Sequence, residues 1–432
     1  MKKIASYALG CKVNQYESEA IAELFAEKGY EVVSVDDKAD VYIINTCTVT
    51  NFGDKKSRQL IRKVKRQNEN AIVAVVGCYA QTAPEELAAV HGVNLVIGTK
   101  DKSKIVELVE DYQAEQGVQN YVTDIMHERV FEPLEIKKLA NRTRAYLKIQ
   151  DGCSQFCSYC IIPYARGPIR SRQPEDVIAE VKRLAENGFK EVVLTGIHVA
   201  SYGKDLKTIT LTDIIRQVHD VEGIERIRFS SIEPNVVTEE FAAAMAELPK
   251  VCDHFHLSLQ SGCDKTLKEM NRKYDTEKYR QAAALLRKYL PDVAITTDII
   301  VGFPGETEED YQASRAFAEE IGFSKIHVFP YSPKKGTPAA ARKDQLQNAV
   351  KQARSHDLIT VSDRMTDAFL QKHVGKVMPV LFERCIGDDV YEGHTTNYMK
   401  VHARSTKDLS NVIADTKILS VAEEMAFGEV EA

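Results

Sequence analysis

At 432 residues, with 44% hydrophobic and 28% charged residues, the chain has room for two to four domains and enough apolar content to build cores, which excludes wholesale disorder. Its 57 Lys and Arg against 63 Asp and Glu give a net charge of -6, which excludes a globally basic nucleic-acid coat and leaves any RNA contact to local patches. The opening MKKIASYALGCK is too short in apolar residues for a signal peptide, and no run approaches the ~20 residues of a membrane helix, so a cytoplasmic protein with no membrane partner is expected.

In chain order, KIASYAL (3–9) reads as a strand and NQYESEAIAELFAEKG (14–29) as a helix, with Ala20, Ile21, Leu24 and Phe25 at helical spacing. EVVSV (31–35) and VYIIN (41–45) are strands, followed by a helix from about 54 to 67. AIVAVVG (71–77) is a strand, Pro84 opens a helix in PEELAAV, and NLVIG (94–98) closes the series before a last helix. This alternation over residues 1–112 predicts a doubly wound parallel sheet covered on both faces. Residues 113–138 show no period and read as a linker.

A second β/α series follows, in a domain placed at 139–365. Its strands are RAYLKI (144–149), EVVLT (191–195), RIRFS (226–230), HFHLSL (254–259), VAITTDIIV (293–301) and KIHVF (325–329), separated by helices such as PEDVIAEVKRLAENG (174–188). Six strands predict a partial (β/α) barrel. After a long helical stretch (344–372), residues 370–432 read as a small β-barrel.

Nine cysteines in a cytoplasmic chain point to metal or redox chemistry rather than disulfides. Cys153, Cys157 and Cys160 form a CxxxCxxC loop directly after the first barrel strand. Three local thiolates and no evident fourth leave one iron of an iron–sulfur cube open to an outside ligand. The spacing resembles the radical S-adenosylmethionine (SAM) enzymes, and Tyr159 matches the aromatic residue usual before the last cysteine. The alternative is a structural zinc site borrowing His198 or His256. Other strand-end loops are candidates for holding SAM, through Gly196, Glu233 and Gln260. Cys11, Cys47 and Cys78 each follow the carboxyl end of a predicted parallel strand, the edge where open α/β sheets bind ligands. They either converge there or are three separate buried thiols. Cys252, Cys263 and Cys385 have no partner spacing.

The stretches LGCKVNQYESE (9–19), NTCTVT (45–50), GCYAQ (77–81), QDGCSQFCSYCIIPYARG (150–167), LQSGCDKTLKEMNRKY (259–274) and DIIVGFPGETEED (298–310) together resemble the radical SAM methylthiotransferase family, over essentially the whole chain. The resemblance implies two [4Fe–4S] clusters, one on Cys11, Cys47 and Cys78 and one on Cys153, Cys157 and Cys160. It also implies SAM as cofactor, a C-terminal TRAM domain, a tRNA substrate, no DNA, and an electron donor such as a flavodoxin or ferredoxin. Gly10-Cys11-Lys12-Val13-Asn14, HVFPYSPKKGTPAA (327–340) and GHTTNYMKV (393–401) look like the branch acting on threonylcarbamoyladenosine at tRNA position 37. Other branches act on isopentenyladenosine in tRNA, typically with Gly-Cys-Gln-Met-Asn at the first cysteine, or on a ribosomal-protein aspartate. A non-catalytic iron–sulfur RNA-binding protein is the distant alternative.

Two basic patches are candidates for tRNA contact. Lys55, Arg58, Arg62 and Lys65 belong to a predicted helix with no acid between 55 and 66, and Arg166, Arg170 and Arg172 follow the CxxxCxxC loop. The terminal module balances six Lys or Arg against six acids over 376–417, so charge alone does not make it an RNA binder.

Overall fold

A computed structural model describes residues 1–136 and 143–431; residues 137–142 and 432 lie outside the described residues, and with them the expected boundary at 138/139. Strands β1 (Lys3–Ala8), β2 (Glu31–Val32), β3 (Val41–Thr46), β4 (Ile72–Gly77), β5 (Leu95–Val96) and β6 (Gln119–Asn120) form one parallel sheet in the order β2-β1-β3-β4-β5-β6. Alternation along β3 explains its two layers. Val41 and Ile43 pack with Ile21 and Phe25 of α1 (Lys12–Glu27) on one face. Tyr42 and Ile44 pack with Ile61 and Val64 of α2 (Asn51–Gln67) on the other. The doubly wound sheet is as expected, although β2 and β5 shrink to two residues each.

The stretch expected to be a linker is no loose tether. It supplies the edge strand β6 and buries Ile125, Leu134 and Ile136, the last two in the core of the second domain. A two-residue strand and isolated anchors leave no period to read.

The second wall contains β7 (Arg144–Asp151), β8 (Arg170–Ser171), β9 (Glu191–Gly196), β10 (Arg226–Phe229), β11 (His254–His256), β12 (Ala294–Val301) and β13 (Lys325–Pro330). They make two sheet segments, β10-β9-β7-β8 and β11-β12-β13, joined by bridges at Ile227–Val251 and Ile232–Leu257. Six strands run parallel, as expected of the partial barrel; β8 is an unforeseen antiparallel edge. The helix Asn348–Gln371 lies on this wall, with Leu358 and Val361 in its core.

Strands β14 (Val377–Gly387), β15 (Val390–Thr395), β16 (Lys400–Arg404), β17 (Val412–Ala422) and β18 (Met425–Val430) close into a five-stranded barrel. Buried arginines of β10 fasten it to the larger barrel. Arg226 donates to His394 O at 2.9 Å and Pro379 O at 2.8 Å, and Arg228 donates to Thr396 O at 3.0 Å. No helix among the described residues is long and apolar enough to cross a membrane.

Neighbouring strands β1, β3 and β4 end in register, with Ala8 beside Asn45 and Thr46 beside Gly77, so Cys11, Cys47 and Cys78 leave the sheet on one edge. Glycine makes the approach possible. At Gly77 (φ +95°) a Cβ would lie 2.4 Å from Asn45 Oδ1 and 2.7 Å from Thr46 O, whereas at Gly29 (φ +86°) it would meet nothing within 4 Å. Gly29→Ala therefore costs backbone strain alone, about 1–3 kcal/mol, and Gly77→Ala adds a steric clash to that strain. Denaturant midpoints should rank wild type above Gly29→Ala above Gly77→Ala. Equal losses would mean that the β3–β4 edge yields freely.

Candidate active site

The loop after β7 carries Cys153, Cys157 and Cys160 as free thiols. All three line a cavity of about 920 Å³ inside the barrel wall, together with Cys11, Tyr159, Gly196 and Glu233. Beside Cys157 stands Arg272, which sequence reasoning passes over although it lies within LQSGCDKTLKEMNRKY. Its Nη1 donates to Cys157 Sγ at 3.0 Å and its Nη2 to Glu233 Oε1 at 2.7 Å. His198 Nε2 is 3.2 Å from the other Glu233 oxygen, so this expected SAM ligand has one oxygen held by Arg272 and the other facing His198. Gln260 does not line the cavity; Ser258 does. The left-handed backbone of Gln260 (φ +72°) breaks the alternation that would have carried the inner face on from Ser258.

Burial pushes the Cys153 thiol up to about 11 and the Cys160 thiol up to about 12. The metal-free chain therefore holds neutral thiols at these positions, and metal binding must release their protons. The zinc alternative finds no support. It needs a fourth ligand from His198 or His256 beside the three thiols, and among the described residues no three His, Cys, Asp or Glu side chains are arranged to hold a single ion. Three thiols on one loop facing a roomy cavity do fit an iron–sulfur cube that keeps one iron open.

The second cysteine set converges. Gly10 (φ +98°) is pressed so closely on Cys47 that a Cβ there would lie 2.7 Å from its Sγ. Burial pushes Cys47 up to about 12, helped by Cys78 and Cys11 close by. Cys11 opens onto the cavity, Cys47 is half-buried and Cys78 is buried.

Behind this triad lies an ionic cluster that joins the two domains. Arg166, fully buried, donates from Nε to Cys78 Sγ at 3.2 Å, from Nη1 to Glu17 Oε1 at 2.6 Å and from Nη2 to Asn14 Oδ1 at 2.7 Å. Glu17 also takes Lys102 at 2.7 Å and Lys148 at 2.8 Å, and Lys148 reaches Asp151 at 2.6 Å. Burial alone would raise the Glu17 carboxyl; Arg166, Lys102 and Lys148 outweigh it and hold the group well below the usual carboxylate range.

Arg166, Arg170 and Arg172 are thereby removed from the candidates for RNA contact. Arg170 is buried, donates to Arg166 O at 2.9 Å and pairs with Asp151 at 3.6 Å, and buried Arg172 is locked to Glu180. A guanidinium already desolvated and paired has nothing to offer a phosphate. The α2 patch divides by exposure. Lys55 and Arg62 are exposed, together with Lys56 and Arg66. Arg58 is taken up by Glu86 at 2.8 Å, and Lys65 by Ala71 O at 2.9 Å.

Comparison with known proteins follows the same division of the chain. Residues 147–318 match the Radical SAM superfamily, and residues 3–98 match the family described as Uncharacterized protein family UPF0004. A threonylcarbamoyladenosine tRNA methylthiotransferase, MtaB, of Bacillus subtilis (strain 168) is 45% identical over 97% of this chain and 94% of its own length. A tRNA-2-methylthio-N(6)-dimethylallyladenosine synthase of Thermoanaerobacter sp. (strain X514) is 37% identical over 98% and 91%. Among solved structures, the radical SAM methyltransferase TsrM of Kitasatospora setae, determined with cobalamin and a [4Fe–4S] cluster bound, shares the fold. Its TM-score is 0.57 at 17% identity, covering 79% of this chain and 77% of that one. The fold and the three-cysteine loop are those of a radical SAM enzyme, a class that works with a [4Fe–4S] cluster and SAM. Within that class, the chain belongs to the radical SAM methylthiotransferase family.

Replacing Glu17 by Gln would leave Arg166, Lys102 and Lys148 buried with one partner fewer. The expected loss is about 3–5 kcal/mol, against at most about 1 kcal/mol for Asp36→Asn, which breaks the exposed pair with Lys63. Because Glu17 is held low, its stabilisation is complete above the ordinary carboxylate range and lost as pH falls through the depressed value. The stability gap between wild type and Glu17→Gln should therefore close on strong acidification. Equal losses in the two variants at neutral pH would deny the cluster its structural role.

Proposed function

We propose that this chain is a cytoplasmic tRNA methylthiotransferase acting on C2 of N6-threonylcarbamoyladenosine at position 37. Cys153, Cys157 and Cys160 hold the SAM cluster, and Cys11, Cys47 and Cys78 hold a second [4Fe–4S] cluster. The observation that carries this reading is the shared cavity, onto which Cys11 and the whole CxxxCxxC set open. A methyltransferase without sulfur insertion would have no use for the first triad. The substrate branch rests on the MtaB relative and on the stretches that resemble that branch.

When bound, the clusters and SAM supply one-electron chemistry able to break a strong C–H bond, and sulfur to replace the hydrogen. The chain's own residues bind, orient and exclude water. Arg272 orients Cys157 and is itself fixed by Glu233. Arg166 does the same for Cys78 from the opposite domain. The C-terminal β-barrel, in the role of a TRAM domain, covers the far end of the cavity with Asn397, Tyr398 and Met399. Lys55, Lys56, Arg62 and Arg66 on α2 offer a phosphate-binding face, and exposed Phe52 at the start of that helix offers a ring for a base to stack on. A flavodoxin or ferredoxin delivers the electrons.

Anaerobically reconstituted enzyme, incubated with SAM, reductant and RNA carrying threonylcarbamoyladenosine, should give the 2-methylthio nucleoside by mass spectrometry. Cys157→Ala should abolish SAM cleavage. Cys47→Ala should still cleave SAM but transfer no sulfur, and loss of cleavage in that variant would show that the two triads do not have separate roles. Changing Lys55, Lys56, Arg62 and Arg66 together to Gln should weaken tRNA binding and flatten its salt dependence by up to about one unit of slope per phosphate contact. An unchanged affinity and slope would return α2 to a merely solvated face.

A further inference from the structure

The cavity is lined by several cations, and of the lysines and arginines among its described lining residues all but one are paired. Arg272 is held by Glu233 at 2.7 Å, Lys325 by Asp363 at 3.3 Å, and Lys400 by Glu392 at 3.3 Å. Lys12 also lines the cavity and has no ion pair or hydrogen bond there; its ammonium lies 5.8 Å from the centre of the Tyr146 ring. The charged groups around it do not neutralise it. Arg228 is matched by Glu191 at 2.9 Å and Arg144 by Glu383 at 3.1 Å, so of three cations and two carboxylates the one left over is Lys12. A half-buried ammonium without a counter-charge is costly, and the cavity in which it sits is where a ligand must enter.

Resting on the substrate reading above, we propose that Lys12 is a specificity-determining residue that pairs with the carboxylate of the threonylcarbamoyl group on N6 of the target adenosine. The reaction as proposed brings three kinds of anion, and position selects among them. Backbone phosphates stay outside, on the exposed face of α2. The groups that surround Lys12 are Tyr398, Arg228, Arg144 and Glu191, not the Arg272–Glu233 pair beside Cys157, which sets it apart from the loop where SAM is placed. Lys12 directly follows Cys11, the member of its triad that reaches the cavity, so its charge lies on the side from which sulfur would reach the base. A threonylcarbamoyl group ends in a carboxylate and a dimethylallyl group carries no charge. An unpaired ammonium at this point favours the first and penalises the second, which would leave the ammonium desolvated and alone.

The test crosses a change in the protein with a change in the RNA. Reconstituted wild type and Lys12→Gln are assayed by kcat/KM for methylthiolation of one anticodon stem-loop carrying threonylcarbamoyladenosine, either as the free acid or as its methyl ester. Wild type should lose about 10–100-fold on the ester, Lys12→Gln a similar factor on the acid, and Lys12→Gln on the ester little more than either change alone. Lys12→Arg should recover part of the loss on the acid. Wild type that treats acid and ester alike overturns the proposal while leaving the methylthiotransferase reading intact, and this arm needs no variant to fold. Equal loss of Lys12→Gln on acid and ester would mark Lys12 as structural and overturn it as well. A fall in SAM affinity of Lys12→Gln, by equilibrium dialysis, matching the loss on the acid would move the paired carboxylate to SAM and likewise overturn the proposal. Wild type inactive on both RNAs would remove the substrate reading itself.

Discussion

Glu17 holds three buried cations, Arg166, Lys102 and Lys148, and everything else in the active site depends on that arrangement. Glu17 and Lys102 come from the first domain, while Lys148, Asp151 and Arg166 flank the CxxxCxxC loop in the second. Burying this many charges is unfavourable, and the penalty is offset only when each finds its partner at short range. The two domains are therefore fixed against each other at the point where Cys11 and the CxxxCxxC set open onto one space. The cluster also carries an excess of positive charge. Arg166, Lys102, Lys148 and Arg170 face two carboxylates, Glu17 and Asp151, and the acceptor of Arg166 Nε is Cys78 Sγ at 3.2 Å. A triad of neutral thiols leaves that excess unanswered; thiolates bound to iron would answer part of it.

A second junction works by the same physics. Asp54, near the start of α2, is buried against Lys334 in the loop after β13, and Asn51 donates to Pro333 O at 3.0 Å. The loop carrying Cys47 is thus held between α1 and α2 of its own domain and a loop of the barrel. On the far side, Tyr398 of the small barrel stacks on His254 and His394 at 4.8 and 4.9 Å, closing the cavity's other end. Water exclusion, which radical chemistry needs, comes from three parts of the chain meeting, not from one lid.

Much of this is legible in the sequence where chemistry and period coincide. CxxxCxxC after a strand, cysteines after three strand ends, and six apolar strands in alternation each translate into position through strand geometry. Charge does not translate. Arg166, Arg170 and Arg172 read as a basic patch, because a residue's type says nothing of its burial, and the partner that decides Arg166 is 149 residues away. Arg58 and Lys65, half-buried on α2, have partners that the sequence does not name. The two-residue strands β6 and β8 are too short to carry a period. Gln260 is turned aside by a single left-handed residue, a feature that glutamine does not advertise. Lys12 stands in the sequence only as part of the Gly-Cys-Lys-Val-Asn stretch, and the folded cavity alone shows that it is the lysine left without a partner.

The central claim is that each triad holds its own cluster, and metal stoichiometry tests it most directly. Wild type, a Cys11, Cys47 and Cys78 triple alanine variant, and a Cys153, Cys157 and Cys160 triple alanine variant would be reconstituted anaerobically and assayed for iron and acid-labile sulfide per chain. Two independent [4Fe–4S] sites predict about eight irons in wild type and about four in each variant. A wild type that binds about four irons, or a variant that binds none, would contradict it.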